Sequence, residues 1–144
     1  MAMLQRIERV LEASLVGAEA KGSPPKLGQA MRHAVFPGGA RIRPQLCMAV
    51  ALACGDDDPS LSESYGAALE LMHCASLVHD DLPCFDDADL RRGQPSVHKA
   101  YGERLAVLAG DALIVLAFRT LVGCKPKHLE RLPDLTAMLD QSVG

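Results

Sequence analysis

Tryptophan is absent from this sequence, and aromatic residues make up only 3% of its 144 positions. The 49% of residues that are apolar must therefore build an aliphatic, alanine-rich core, a composition that favours helices. No segment sustains period-two alternation, so strands are not expected. The five cysteines (Cys47, Cys54, Cys74, Cys84 and Cys124) form no CxxC pair and no zinc spacing. Odd in number and set among apolar residues, they are expected to be reduced, mostly buried thiols of a cytoplasmic protein. A net charge of -3 leaves no basic footprint for nucleic acid. A secretory leader is not expected, because Arg6, Glu8, Arg9 and Glu12 interrupt the first sixteen residues. Leu105 to Val122 is very apolar, yet Asp111 and Arg119 break the run, so a buried helix is expected rather than a membrane span. The sequence holds no internal repeat and no low-complexity segment.

What remains reads as an all-α chain of about six helices. Met3, Leu4, Ile7, Val10, Leu11, Leu15 and Val16 follow helical spacing, giving an amphipathic first helix that ends near Gly22. A short second helix covers Lys26 to Phe36 and is stopped by Pro37-Gly38-Gly39. The third runs from about Pro44 to Cys54. Asp56, Asp57 and Asp58 sit in a turn-forming cluster with no cation nearby in sequence, which predicts turn and capping duty. The fourth helix spans Ser60 to about Asp81, residues 94–102 are irregular, and the fifth runs from about Glu103 to Val122. A sixth begins at Leu132. The run AVLAGDALIVLAF is apolar on every side and needs neighbours all around it. With so few helices to cover it, the chain is expected to be part of a larger domain.

The chemistry concentrates in HDDLPCFDDADLRRG, from His79 to Gly93, which holds five aspartates in ten residues followed by Arg91 and Arg92. Grouped carboxylates repel one another unless a cation neutralises them. Oxygen donors suit a hard ion such as Mg2+, which takes one or two carboxylates and completes its shell with water and phosphate oxygens. The planar forks of the two arginines match phosphate oxygens. Asp80 and Asp86 are six residues apart, about 120° on an ideal helix. Pro83 lies between them and opposes a helical bond to His79, so a loosened turn is expected to swing Asp86 back towards Asp80. A solvated acidic loop is the bland alternative. It fits poorly with the preceding apolar helix and with Leu82, Pro83 and Phe85 inside the run.

Three segments in order, GGARIRP (Gly38 to Pro44), Leu71 to Gly102 around the acidic run, and LAGDALIVLAF (Leu108 to Phe118), resemble the trans-isoprenyl diphosphate synthases, the farnesyl and geranylgeranyl diphosphate synthases. DDxxxxD followed by DLRRG is that family's first aspartate-rich motif. The resemblance implies an isoprenoid synthase-type helical bundle, a homodimer, that condenses an allylic diphosphate with isopentenyl diphosphate. Residues 1–144 would form the N-terminal part of one polyprenyl synthetase domain. It also implies that Asp80 and Asp86 bind Mg2+ bridging the allylic diphosphate, with Asp81 and Asp87 in support. Arg91 would contact the allylic diphosphate, while Arg43, His73 and Arg92 would hold isopentenyl diphosphate. His73 lies two helical turns before Asp80 and so shares its face. Ala75 and Ser76 lie about one turn below the metal; where an aromatic would close the cavity early, they leave room for a product of geranylgeranyl length or longer.

The sequence departs from the family pattern at two places. Ala40 stands where the family usually has lysine, with Arg41 a partial substitute, and the second aspartate-rich motif, DDxxD, is absent. The chain alone is therefore expected not to turn over. A short non-catalytic homologue acting as a binding or regulatory subunit is the rival reading, but such a subunit has no physical need for an intact DDxxxxD and RR. Asp111 is expected to be structural, and His98 and Lys99 to be surface residues.

Overall fold

The computed structural model describes residues 2–20, 22–36 and 38–143. Among these, seven α-helices carry nearly all the regular structure: α1 (Met3–Ala18), α2 (Pro25–Val35), α3 (Ile42–Ala53), α4 (Pro59–Asp80), α5 (Val97–Tyr101), α6 (Glu103–Val122) and α7 (Leu132–Gln141). Pro37, read as part of the stop after α2, lies outside the described residues.

The fold is organised around α4 and α6. Gly66, Ala67, Ala68, Ala75, Ala106, Ala109, Gly110 and Ala117 are all buried, and such small side chains allow the two helices to approach closely. They run antiparallel: His79, near the end of α4, lies over Gly110, while Ser64 faces Leu116 and Thr120. Gly110 has a packing reason to be glycine, since a Cβ there would sit 2.1 Å from His79 Nε2. Around this pair, α1 presents Ile7, Leu11 and Leu15, each fully buried at i, i+4 and i+8. Burying one such side chain contributes ~1.5–3 kcal/mol.

The start of α4 is well specified. Asp58 accepts from the Leu61 amide at 3.3 Å, and Pro59 occupies the first turn, where its missing N–H costs nothing. The three neighbouring aspartates cap and turn as expected, but they do have cations, brought from far along the chain. Arg6 lies 3.6 Å from Asp56, and Arg131 grips Asp57 through a fork of 2.7 and 2.8 Å. That fork holds the Asp57 carboxyl down to about 2. Asp58 also accepts from the His128 amide at 2.9 Å.

Two other expectations are corrected. Residues 94–102 are ordered: Leu90–Arg91 pairs antiparallel with Gln94–Pro95 (β1 and β2), and α5 follows. The thiols are not mostly buried, since only Cys74 is, while Cys54 and Cys84 are exposed. Asp111, read as structural, is open to solvent, with its side chain 62% exposed.

By length and apolar content α6 is a helix that could cross a membrane. It packs against α4, α2 and α5 on one side, while Leu108, Val115 and Val122 on the other are more than half exposed. A second open stripe runs down α3 through Ile42, Leu46 and Val50.

Candidate active site

The site forms where α4 ends. Pro83 has no N–H for the His79 carbonyl, so the Leu82 amide takes it at 3.1 Å and the helix tightens into a turn. The Asp86 amide then donates to the Asp80 carbonyl at 2.9 Å, Asp87 to Leu82 at 3.0 Å and Ala88 to Asp81 at 3.2 Å. The loosened turn expected at Pro83 is thus present, and it brings the backbone of Asp86 against that of Asp80. Asp87 closes the turn in a left-handed conformation, φ 46°.

The two aspartate doublets are treated differently by the fold. Asp80 and Asp86 are exposed, and neither carboxylate has a cationic partner among the described residues. Asp81 is 2% exposed and takes both arms of Arg91, with Nε at 3.1 Å from Oδ2 and Nη2 on Oδ1. Asp87 faces α5, 3.5 Å from His98 Nε2 and 3.8 Å from Lys99 Nζ. Among the described residues no three His, Cys, Asp or Glu side chains converge into a complete metal site. Two open, unpaired carboxylates on a common turn nevertheless match what Mg2+ requires when phosphate oxygens and water supply the other ligands.

Arg91 and Arg92 diverge because a tight hairpin separates them. Arg92 and Gly93 form its two-residue turn, with φ values of 54° and 78°, the positive pair that mirror-type hairpins need. Arg91 thereby turns towards Asp81, and Arg92 towards Glu70, 3.9 Å away across Gly39. His73, half-buried on the Asp80 face of α4, is pushed below its ordinary value, first by burial and then by the charges of Arg43, Arg92 and Arg91. Those three arginines therefore lie within electrostatic reach of one imidazole. Arg43 is exposed on the first turn of α3. Ser76 shares the open face with Asp80, its hydroxyl donating to the His73 carbonyl at 2.7 Å. Ala75 instead points into the core, 1% exposed.

Arg41 does not stand in for the lysine absent at Ala40. In a left-handed conformation, φ 51°, it turns inward and is bound by Glu8, Glu70 and the Val35 carbonyl, all at 2.8 Å. Reading the sequence alone missed Glu70 as the buried anion between Arg41 and Arg92. It also missed His33, whose Nε2 lies 2.7 Å from the Pro95 carbonyl and ties α2 to the hairpin. His98, expected at the surface, is buried, with its side chain 5% exposed. Asp111 lies 3.5 Å from His79 on the rim of the same end of the bundle.

The site is thus an acidic turn at the end of an α-helical bundle, set beside an arginine hairpin. The polyprenyl synthetase family model matches residues 24–143, and the chain belongs to that family. It is 52% identical over its whole length to a geranylgeranyl diphosphate synthase of Cereibacter sphaeroides and to one of Rhodobacter capsulatus, in each case covering 50% of the relative. Among solved structures, an FPP/GFPP synthase from Zymomonas mobilis superimposes with a TM-score of 0.85 at 36% identity, over 99% of this chain and 51% of that one. A geranyltransferase from Legionella pneumophila gives 0.79 at 40% identity, over 96% and 47%. The chain thus spans about half the length of the curated relatives it matches.

Proposed function

We propose that this chain supplies the allylic-diphosphate half of a prenyl-transfer site, which joins an allylic diphosphate to isopentenyl diphosphate with Mg2+ and forms geranylgeranyl or farnesyl diphosphate. The observation that carries the reading is the pair of unpartnered carboxylates, Asp80 and Asp86, one tight turn away from an arginine hairpin. Ionising an allylic C–O bond leaves a diphosphate anion, and pre-set positive charge around it lowers the barrier. Bound Mg2+ would supply a Lewis acid for that developing charge, held by Asp80 and Asp86. Arg91, braced by Asp81, faces the allylic diphosphate; Arg43, His73 and Arg92 hold the second diphosphate. A His73 that favours its neutral form donates to a phosphate oxygen without adding to the charge that the arginines already bring. Ser76, on the open face below Asp80, bounds the path of the growing chain, with Ala75 behind it.

The second aspartate-rich motif is not in this sequence, so the proposal assigns residues 1–144 to the N-terminal part of one polyprenyl synthetase domain. Pairing of two copies and a reducing, cytoplasmic setting belong to the same reading; five free thiols support the latter. The test is to join this chain to the C-terminal half of the Cereibacter sphaeroides relative and assay prenyl transfer with Mg2+. The joined protein is expected to form product and the 144-residue chain none. A folded joined protein without activity would refute the assignment, and turnover by the short chain alone would refute the half-site.

A further inference from the structure

We propose that His98 is a positioning residue of the aspartate turn, acting through Asp87; this rests on the metal–diphosphate reading of Asp80 and Asp86. His98 lies in α5 with its side chain 5% exposed, and its Nε2 is buried with no hydrogen-bond partner among the described residues. A buried polar atom left this way calls for a physical reason. Its other nitrogen is fixed: Nδ1 lies 3.0 Å from the hydroxyl of Ser96, itself 1% exposed. Nε2 lies 3.5 Å from Asp87 Oδ1, near it but without a formed hydrogen bond. A lone pair facing a carboxylate is repelled, so the proton belongs on Nε2 and Nδ1 accepts from the Ser96 hydroxyl. The result is a buried donor held within 3.5 Å of the Asp87 carboxylate, where a small shift of either group completes the bond.

Asp87 needs that restraint. Its φ of 46° lies in the left-handed region, which is uncommon outside glycine although aspartate enters it more readily than most residues. Its amide is held by the Leu82 carbonyl at 3.0 Å. On the carboxylate, Lys99 is the competitor, but it is exposed, 3.8 Å away, and closer to Asp89 at 2.9 Å. His98 is thus the buried neighbour of that carboxylate. Fixing Asp87 on the α5 side fixes the backbone from which the adjoining Asp86 projects. In this way the imidazole sets the separation of Asp86 from Asp80 without touching a ligand itself.

The test uses the whole chain with Mn2+ and inorganic diphosphate as probes, reading free Mn2+ by electron paramagnetic resonance. Outer groups that orient metal ligands typically change metal affinity by about ten- to a hundredfold; His98 acts one residue further out, so His98→Leu is expected to weaken Mn2+ binding by about tenfold, the low end of that range. His98→Gln, whose amide reaches the Nε2 position, is expected to recover affinity to within about threefold. Adding His98→Leu to Asp87→Asn is expected to change nothing further, because the path through Asp87 is already cut. Should the leucine variant not fold, His98→Asn, which occupies the Nδ1 position and leaves Nε2 vacant, takes its place with the same expected loss. Wild-type affinity in His98→Leu, no recovery in His98→Gln, or additive losses in the double variant would overturn the inference. Failure of the unaltered chain to bind Mn2+ with diphosphate would overturn the metal–diphosphate reading and the inference with it.

Discussion

Removing Glu70 should unfold this protein far more readily than its single position on α4 suggests. The Arg41 side chain is fully buried, with Nε on Glu8, Nη1 on Glu70 and Nη2 on the Val35 carbonyl. Glu70 is 2% exposed, so Glu70→Ala leaves a guanidinium inside the protein with a half-exposed Glu8 as its remaining anion. Breaking a buried ion pair from one side costs ~3–5 kcal/mol; because Glu8 stays, the lower end applies. A loss of about 3 kcal/mol is about a hundredfold in the folding equilibrium. With a denaturant slope of about 2 kcal/mol/M, it lowers the urea midpoint by ~1.5 M. Circular dichroism at the helical band during a urea titration measures this directly. Replacing both partners with apolar residues, Glu70→Leu with Arg41→Met, should cost less than Glu70→Ala, since no charge is then left unpaired. A midpoint shift below ~0.4 M for Glu70→Ala, or a double variant weaker than the single one, would show that the pair is not the electrostatic centre described here.

Four further outcomes are expected. His73 should titrate below 6.5, so that under about pH 6.5 the unfolded chain binds more protons and stability falls as pH drops through that window; proton NMR should show its midpoint rising when inorganic diphosphate is added. Gly38→Ala would set a Cβ 2.2 Å from the guanidinium carbon of the clamped Arg41 and should cost ~1–3 kcal/mol in urea unfolding. Gly110→Ala meets a His79 ring that is 29% exposed and tied only to the Val107 carbonyl and Asp111, so it should cost less. In the protein joined to a C-terminal half, Ser76→Phe should shorten the product by chromatography while leaving the urea midpoint nearly unchanged. Ala75→Phe, at a fully packed position, should lower that midpoint by ~1–3 kcal/mol in stability. Maleimide should label Cys54 and Cys84 quickly and Cys74 only on unfolding, because burial pushes the Cys74 thiol up to about 11.

Much of this architecture was legible in the sequence because its signals are local. The apolar spacing of α1, the Asp58-Pro59 start of α4 and the Pro83 break each act within a turn or two of chain, and each element lies within a few residues of its expected place. The hairpin was not legible. Its strands are two residues long, too short to alternate, and its turn opens on arginine rather than asparagine or aspartate. Burial of polar groups was the other blind spot. Nothing local separates Arg41 from Arg43 or Asp81 from Asp80; the difference comes from Glu8 and Glu70 for the first pair and from Arg91 for the second. The same holds for His98, whose burial depends on α6 and the aspartate turn closing over it, and for Asp57, whose cation comes from Arg131.

The division within the two doublets has a consequence for how charge reaches the site. Asp81 and Arg91 cancel each other, and His73 favours its neutral form. What faces solvent is then four carboxylates, Asp80, Asp86, Asp87 and Asp89, against three cations, Arg43, Arg92 and Lys99. Such a surface has no excess positive potential with which to draw a multiply charged anion from bulk water. A diphosphate approaching on its own would gain little net attraction; the same diphosphate already paired with a divalent ion would meet carboxylates for the ion and arginines for the oxygens together. On the proposed function, the absence of any positive excess at this end of the bundle therefore favours the ion-paired diphosphate over the bare anion.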